Sequence, residues 1–544
     1  MKKANRTAEF RGSDGPAGRQ WSTVRRGVGV AAALALVFSV LAACGSESSS
    51  KDFGVDAGET PKSLTMDLRN DVDTFDPGLS ASDQGAMQMF EAIYDTPVRQ
   101  DYKTGGVTAA MATEWDVTPT RVVFQLRPDL KCSDGTALPP TDVAKGIQRL
   151  ADPKTASPFR GRLFGTGGAK SIVGDNAKNT LTIEVNNPHA DMLEAMTNAF
   201  IVCPKGLDDP KALATTPQGS GPYKITTLKR GDSYVLEAWG SPALENADDV
   251  PAKITMRVIT ADSTRANLFE TKATDIAAVV GRDSKRLEAE NTPIQGKAFG
   301  ADSVSFNERA GSPFADERLR RVVAQALDAG AYAKAASFGV GEPANTVITS
   351  NMNCSTKANA DVGLKYDLKQ AKADLKAAGY GPGGKDLTVQ MLGYDVQNSG
   401  PDYLADAIRK LGIKVELTNG TLAQAAGIIY GDKVPWDVFV YPFQTAIRTP
   451  YPLVTKMSSL LGEGGAVNWG RVHNDEFDAL VKARVSGATG DERCKLWGEA
   501  EAALLKRTDL VPLMQPVVNY FVHGLTFKAG YRVVNLRTIR TSGK

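Results

Sequence analysis

Residues 315–330 read "ADERLRRVVAQALDAG". Leu319, Val322, Val323, Ala326 and Leu327 recur at three- and four-residue spacing, so they share one face of a helix, and Gly330 marks its expected end. The device recurs in "DLKQAKADLKAAGY", residues 367–380, with Asp367 placed to cap and Gly379 to stop. Then "YLADAIRKLGIKVELT", residues 403–418, gives a helix, Gly412, and a strand with Ile413, Val415 and Leu417 on one side. Helix–strand alternation of this kind predicts an α/β lobe around a central sheet.

Before about residue 300 the chain is richer in strands. Leu64, Met66 and Leu68 alternate ahead of a turn at Asp76-Pro77-Gly78. Val122 to Leu126 is β-rich, Asp134-Gly135 marks a tight turn, and Thr141 is placed as N-cap before Val143, Ile147 and Leu150. Asn179–Val185 alternates, "QGSGPYKITTLKRGDSYVLEAW" reads as a hairpin, and Ile254, Met256 and Val258 share a face. With 42% hydrophobic and 23% charged residues in 544, the body is globular and too large for one core, which predicts two lobes.

The N-terminus is different. Residues 1–43 carry seven basic and two acidic side chains, then the apolar run "GVGVAAALALVFSVLAA", a little short of the ~20 residues of a membrane span. Leu41-Ala42-Ala43-Cys44 resembles the lipobox of bacterial lipoproteins, which implies cleavage before Cys44 and its lipidation. Arg25-Arg26 leaves both the general and the twin-arginine export routes open. The serine-rich stretch behind Cys44 reads as a flexible tether. Removing residues 1–43 takes the formal charge from +2 to −3, which leaves no basic footprint for nucleic acid. The other four cysteines suggest two disulfides in an oxidising compartment. Cys132–Cys203 and Cys354–Cys494 are the favoured pairs, because each stays within one expected lobe. Three scattered histidines and no CxxC spacing argue against zinc, and no cofactor or metal is expected.

Catalytic patterns are weak. Gly379 to Lys385 fits the start of a phosphate loop, but Asp386 stands where magnesium needs Ser or Thr, and the segment follows a helix. "GSGPY" lacks the spacing of GxSxG and has no nearby histidine. Asp134 and Asp142 read as turn and helix-start residues. The aromatics say more. "WDVFVYPFQTAIRTPYP", residues 436–452, sets Trp436, Phe439, Tyr441, Phe443 and Tyr451 among prolines. Tyr441 and Phe443 fall where the strand should give out; they either wall a ligand, as at strand ends of open α/β sheets, or cover the sheet end.

Several segments together resemble the solute-binding proteins of ABC importers that serve dipeptides, oligopeptides and nickel (family 5). "TFDPGLSASDQGAMQMFEAIYDTPV" is similar to the family's opening signature, and "MATEWDVTPTRVVFQLRPDLKCSDGTALPPTDV" to its strand–turn–helix pattern. "GSGPY" stands for GTGPY, "FNERAGSPFADERLRRVVAQALDAG" resembles the entry to the second lobe, and "DLKQAKADLKAAGY" the later helix. The resemblance implies an α/β, two-lobe periplasmic-binding-protein-like fold (type II, cluster C) with a subdomain inserted in the first lobe. The expected parts are signal peptide 1–43, tether 44–62, first lobe 63–300 with an insert at about 89–204, second lobe 301–505, and a return to the first lobe over 506–544. It also implies a monomer with no enzymatic activity, extracytoplasmic and lipid-anchored to the outer face of the cytoplasmic membrane. Its partners would be a peptide or peptide-like ligand and ABC permease subunits with cytoplasmic ATPases. An exported hydrolase, or a sensing or chaperone lipoprotein on this scaffold, is the alternative.

One departure bears on the ligand. Peptide binders of this kind commonly carry an acid for the peptide α-amine in a WxxDYxxP-like segment; aligned on Pro450, this chain has Ala446 there. Either a first-lobe carboxylate takes the amine, with Asp83 as candidate, or the ligand has no free amine at that end. The second is favoured here, with Tyr441, Phe443, Gln444, Asn468 and Trp469 as expected contacts.

Overall fold

The computed structural model describes residues 58–80, 84–101, 106–244, 249–394, 397–431, 435–445, 447–461, 468–483, 487–530 and 533–542. The expected signal peptide, Cys44, Asp83 and Ala446 lie outside them. No helix of the described residues is long and apolar enough to cross a membrane.

A seven-stranded sheet organises the first lobe. Its order is Ile294–Lys297, Val517–Val522, Ile276–Val279, Ser63–Leu68, Lys253–Val258, Ser233–Ala238, Tyr223–Lys229. Ser63–Leu68 runs parallel to both its neighbours and buries Leu64, Met66 and Leu68. Within the expected insert, Ala112–Thr118, Arg121–Leu126, Thr180–Val185 and Ala169–Asp175 form an antiparallel sheet, with helix Pro140–Ala151 packed on it. Phe90, Phe124, Ile147, Ile183 and Phe200 join Met66 and Tyr223 in one hydrophobic cluster. The insert is therefore a layer of the first lobe's core.

The second lobe has a six-stranded sheet in the order Glu342–Pro343, Leu510–Gln515, Asp302–Phe306, Val438–Pro442, Thr388–Tyr394, Lys414–Gly420. Leu319, Val322 and Val323 pack against it with Leu404 and Ile408. Asp367 accepts the Gln370 N–H at the start of helix Leu368–Ala377, and Gly379 and Gly412 take the positive φ (+87° each) that ends their helices.

Four expectations shift. Helix Glu317–Gln325 stops before Gly330, because the Asp328 carboxylate accepts the N–H groups of Gly330 and Ala331 and opens a second helix, Ala329–Ser337. Thr141 is not a cap: Pro139 holds that position and Pro140, which needs no N–H partner, starts the helix. The return to the first lobe comes at Pro516 rather than 506, since Leu510–Gln515 still pairs with Asp302–Phe306. The end of the expected tether already belongs to the body, where the Glu59 carbonyl accepts the Thr541 N–H at 2.8 Å. Both disulfides join the expected partners, Cys132 to Cys203 and Cys354 to Cys494, each within one lobe.

Candidate functional site

The chain passes between the two sheets twice, through Ala298–Ala301 and through Pro516. The crossings are tied together: the Ala298 N–H donates to the Pro516 carbonyl at 2.9 Å, and Gln515 Nε2 donates to the Ala298 carbonyl at 2.7 Å. Gly300 is required here. Its φ is +103°, and a Cβ would sit 2.0 Å from the Phe443 carbonyl oxygen. On the second-lobe side, Phe443 N–H donates to the Ala301 carbonyl and Thr445 N–H to that of Phe299.

This pins the end of strand Val438–Pro442 beside the crossing, and the aromatic residues follow. Tyr441 stacks on Trp469 with centroids 4.5 Å apart, Phe439 lies 5.6 Å from Tyr441, and Phe443 meets Tyr441 edge-on at 5.2 Å. Over them sits Lys456, from helix Pro452–Met457, with Nζ 4.4 Å from the Tyr441 centroid and 5.1 Å from that of Phe443. Its ammonium donates to the Pro442 carbonyl at 2.5 Å. Burial first, then Arg162 across the seam, pushes this lysine down to about 7, with buried Asp302 opposing. Gln444 Nε2 donates to Asp302 Oδ1 at 2.7 Å.

Further from the crossing the lobes touch directly. The His189 and Tyr451 rings are 4.3 Å apart, and Gly165 of the insert lies close to the Tyr451 hydroxyl. Arg493, from helix Gly490–Lys506, reaches the Ala190 carbonyl at 2.8 Å, Asp191 at 3.1 Å and Glu194 at 3.4 Å. Burial raises both carboxyls above their ordinary range and pushes His189 down to about 4, so its imidazole is neutral at pH 7. Beside Phe299 lies a cavity of about 50 Å³ whose lining includes Glu91, Asp95, Arg99 and Arg537. It is water-sized, far below the roughly 300–1,000 Å³ of ligand pockets, so this cavity as it stands holds no peptide.

Of the residues singled out in the sequence, Tyr441, Phe443, Gln444 and Trp469 come together at this place. Asn468 is adjacent, but its amide donates to the carbonyls of Ser458 and Val472 and shapes the local loop. Lys456, Arg162, His189 and Arg493 escaped notice. Nothing in sequence brings Arg162 to Lys456, although a lysine in an aromatic, proline-rich segment was a signal available to be read.

A family profile described as bacterial extracellular solute-binding proteins, family 5, matches residues 106–464. The dipeptide-binding protein DppE of Bacillus subtilis is 25% identical over 89% of this chain and 93% of its own. The periplasmic murein peptide-binding protein MppA of Escherichia coli is 24% identical over 83% and 87%. Among solved structures, a substrate-binding protein from Microbacterium hydrocarbonoxydans complexed with 4-hydroxybenzoate hydrazide superposes with a TM-score of 0.74. It is 25% identical, and the match covers 88% of this chain and all of that one.

Proposed function

Because the chain belongs to the bacterial extracellular solute-binding proteins of family 5, which bind rather than catalyse, we propose that it is the capture subunit of an ABC importer. It takes an oligopeptide or peptide-like ligand between its lobes and delivers it to a membrane permease driven by cytoplasmic ATPases. A lipid on Cys44 holds it at the outer face of the cytoplasmic membrane, so that docking is local. The observation that carries this reading is the pair of crossings at Ala298–Ala301 and Pro516, flanked by an aromatic wall. Two rigid bodies on two strands can part, admit a ligand and close on it. Tyr441, Phe443, Gln444, Trp469 and Asn468 form the second-lobe side of the site, and a ligand without a free amine at that end suits a wall that carries a lysine.

The test is thermal shift and calorimetry on purified protein with free and N-acetylated peptide pools. Binding raises the melting temperature by mass action, and acetylation leaves it intact. Failure of both pools, or hydrolysis of bound peptide, defeats the peptide reading. The anchor is tested by Cys44→Ser, which should release a folded protein from the membrane fraction.

A further inference from the structure

The two disulfides sit in different surroundings. Cys132 and Cys203 are each 2% exposed and belong to the first lobe's core. Cys354 and Cys494 are half-buried, flanked by exposed Ser355 and Lys495, and line a cavity of about 620 Å³ on the second lobe. Cys494 belongs to helix Gly490–Lys506, and the residue before it is Arg493, which grips Ala190, Asp191 and Glu194 of the first lobe. From Gly490 to Lys495 this helix has no fully buried residue; Leu496 and Trp497 are the first. Its later turns are held without the disulfide, because the Glu501 carboxylate accepts the N–H groups of Val347 and Ile348 and the Asn359 amide, each at 2.8 Å. At the other end of the bond, Cys354 takes a left-handed φ of +64°, a conformation that persists only where the surroundings enforce it. It follows directly on the segment Thr349–Asn353, which braces the crossing. There Thr349 Oγ1 accepts the Gly300 N–H at 3.1 Å, and the Asn351 amide donates to the Lys297 and Ala298 carbonyls at 3.2 Å. The disulfide therefore ties the turn that carries the inter-lobe arginine to the segment that braces the crossing.

We propose that Cys354–Cys494 is a redox-controlled clasp on lobe closure, cleaved by an external dithiol and re-formed by exchange with an external disulfide. A thiolate of the reductant attacks one of the two sulfurs, and the other leaves as a thiolate and takes up the proton the reductant gave up. The reductant's second thiol then resolves the mixed disulfide. Two electrons and two protons pass to the protein, which gains two thiols while the dithiol becomes a disulfide. With the bond gone, no fully buried residue holds the turn that carries Arg493. An arginine on a loose turn must be ordered each time the lobes meet, and that entropy cost weakens closure. The oxidised protein closes readily and the reduced protein favours the open form. The inference rests on the opening and closing of the lobes read above and not on the identity of the ligand.

The experiment uses the mature protein with Cys44→Ser, which leaves four cysteines, and dithiothreitol as the dithiol. Thiol trapping with iodoacetamide and peptide mapping should label Cys354 and Cys494 while Cys132 and Cys203 stay joined. Hydrogen exchange over residues 490–495 should quicken at least about tenfold on reduction, with residues 500–506 still protected. Solution scattering without ligand should show the radius of gyration rise on reduction and fall again on re-oxidation with glutathione disulfide. Cys354→Ala combined with Cys494→Ala should be expanded from the start and indifferent to the dithiol. Arg493→Ala should be expanded too, and reduction should add nothing to it. The proposal is overturned if Cys132 and Cys203 are reduced as readily, if reduction leaves the radius unchanged, or if reduction expands Arg493→Ala as much as the parent. Loss of protection throughout the second lobe also overturns it, since the bond is then a structural staple. An Arg493→Ala protein that stays compact overturns the lobe-motion reading along with it. None of these readouts uses a peptide, so a failure of the peptide reading is told apart from a failure of the clasp.

Discussion

Arg493 of the second lobe and Asp191 of the first are joined at 3.1 Å, with the Asp191 side chain 2% exposed. Both belong to the contact that exists only while the lobes meet. Replacing Arg493 by Ala leaves Asp191 and Glu194 buried without their cation whenever the protein closes. The closing equilibrium should weaken by about 2 kcal/mol, roughly thirtyfold, less than for a fully buried pair because Arg493 keeps some solvent. Solution scattering should show a larger radius of gyration for Arg493→Ala, and ligand affinity should fall with it. An unchanged radius and affinity would mean the pair has no part in closure.

Gly300→Ala should act at the crossing. The positive φ and the Phe443 carbonyl together leave no room for a methyl group, so the segment must rearrange at a cost of ~1–3 kcal/mol. The expected result is a lower melting temperature together with weaker binding, whereas Gly231→Ala, with nothing within 4 Å of its Cβ, tests the backbone term alone.

The Asp-Pro of the opening signature has a physical reason. Asp76 is 1% exposed and meets Arg149 through two parallel bonds of 2.7 and 2.5 Å, while its Oδ1 also accepts the Gly78 N–H. Arg149→Leu strands that carboxylate and should cost ~3–5 kcal/mol in urea unfolding. Adding Asp76→Asn should restore a good part of the loss, and strict additivity of the two changes would refute the coupling.

Glu308 gives a pH signature. Burial and then the neighbouring Asp509 hold its carboxyl well above the ordinary range, against Arg320 and Arg507. A raised carboxyl contributes stability that is full below its unfolded value and is lost as pH rises through the folded one. The melting temperature should therefore fall as pH rises from the ordinary carboxylate range to about 8 and level off above it, and Glu308→Gln should flatten that slope. A variant with the wild-type slope would assign the pH dependence to other groups.

Local chemistry made part of this legible in sequence. Asp367, Gly379 and Gly412 act on their own neighbours, so their roles needed no tertiary knowledge. The helix end was misplaced because the apolar spacing runs on past Gln325, and the Asp328 carboxylate overrides that run by capping a new helix. Leu510–Gln515 bears no mark of which sheet will accept it, since both offer an apolar place. Arg162 and Lys456 lie on helices of different lobes that pack together, and no window of sequence contains both. Tyr441 and Phe443 were visible because they fall at one strand end, and Trp469 only through the family resemblance, whereas no reading of the sequence singled out Lys456.

Strand Val517–Val522 lies inside the first lobe's sheet, between Ile294–Lys297 and Ile276–Val279, and the Gln88 amide clasps both backbone groups of Val534. The half of the protein that is synthesised first thus needs the residues that are synthesised last. Residues 302–515, by contrast, are continuous and hold every strand of their own sheet. The order of completion inverts the order of synthesis: the later lobe can mature while the earlier one waits with an open seam in its sheet. A nascent chain stalled short of residue 517 would carry a finished second lobe and an unfinished first, and would present to quality control the edge that its own C-terminus was meant to cover.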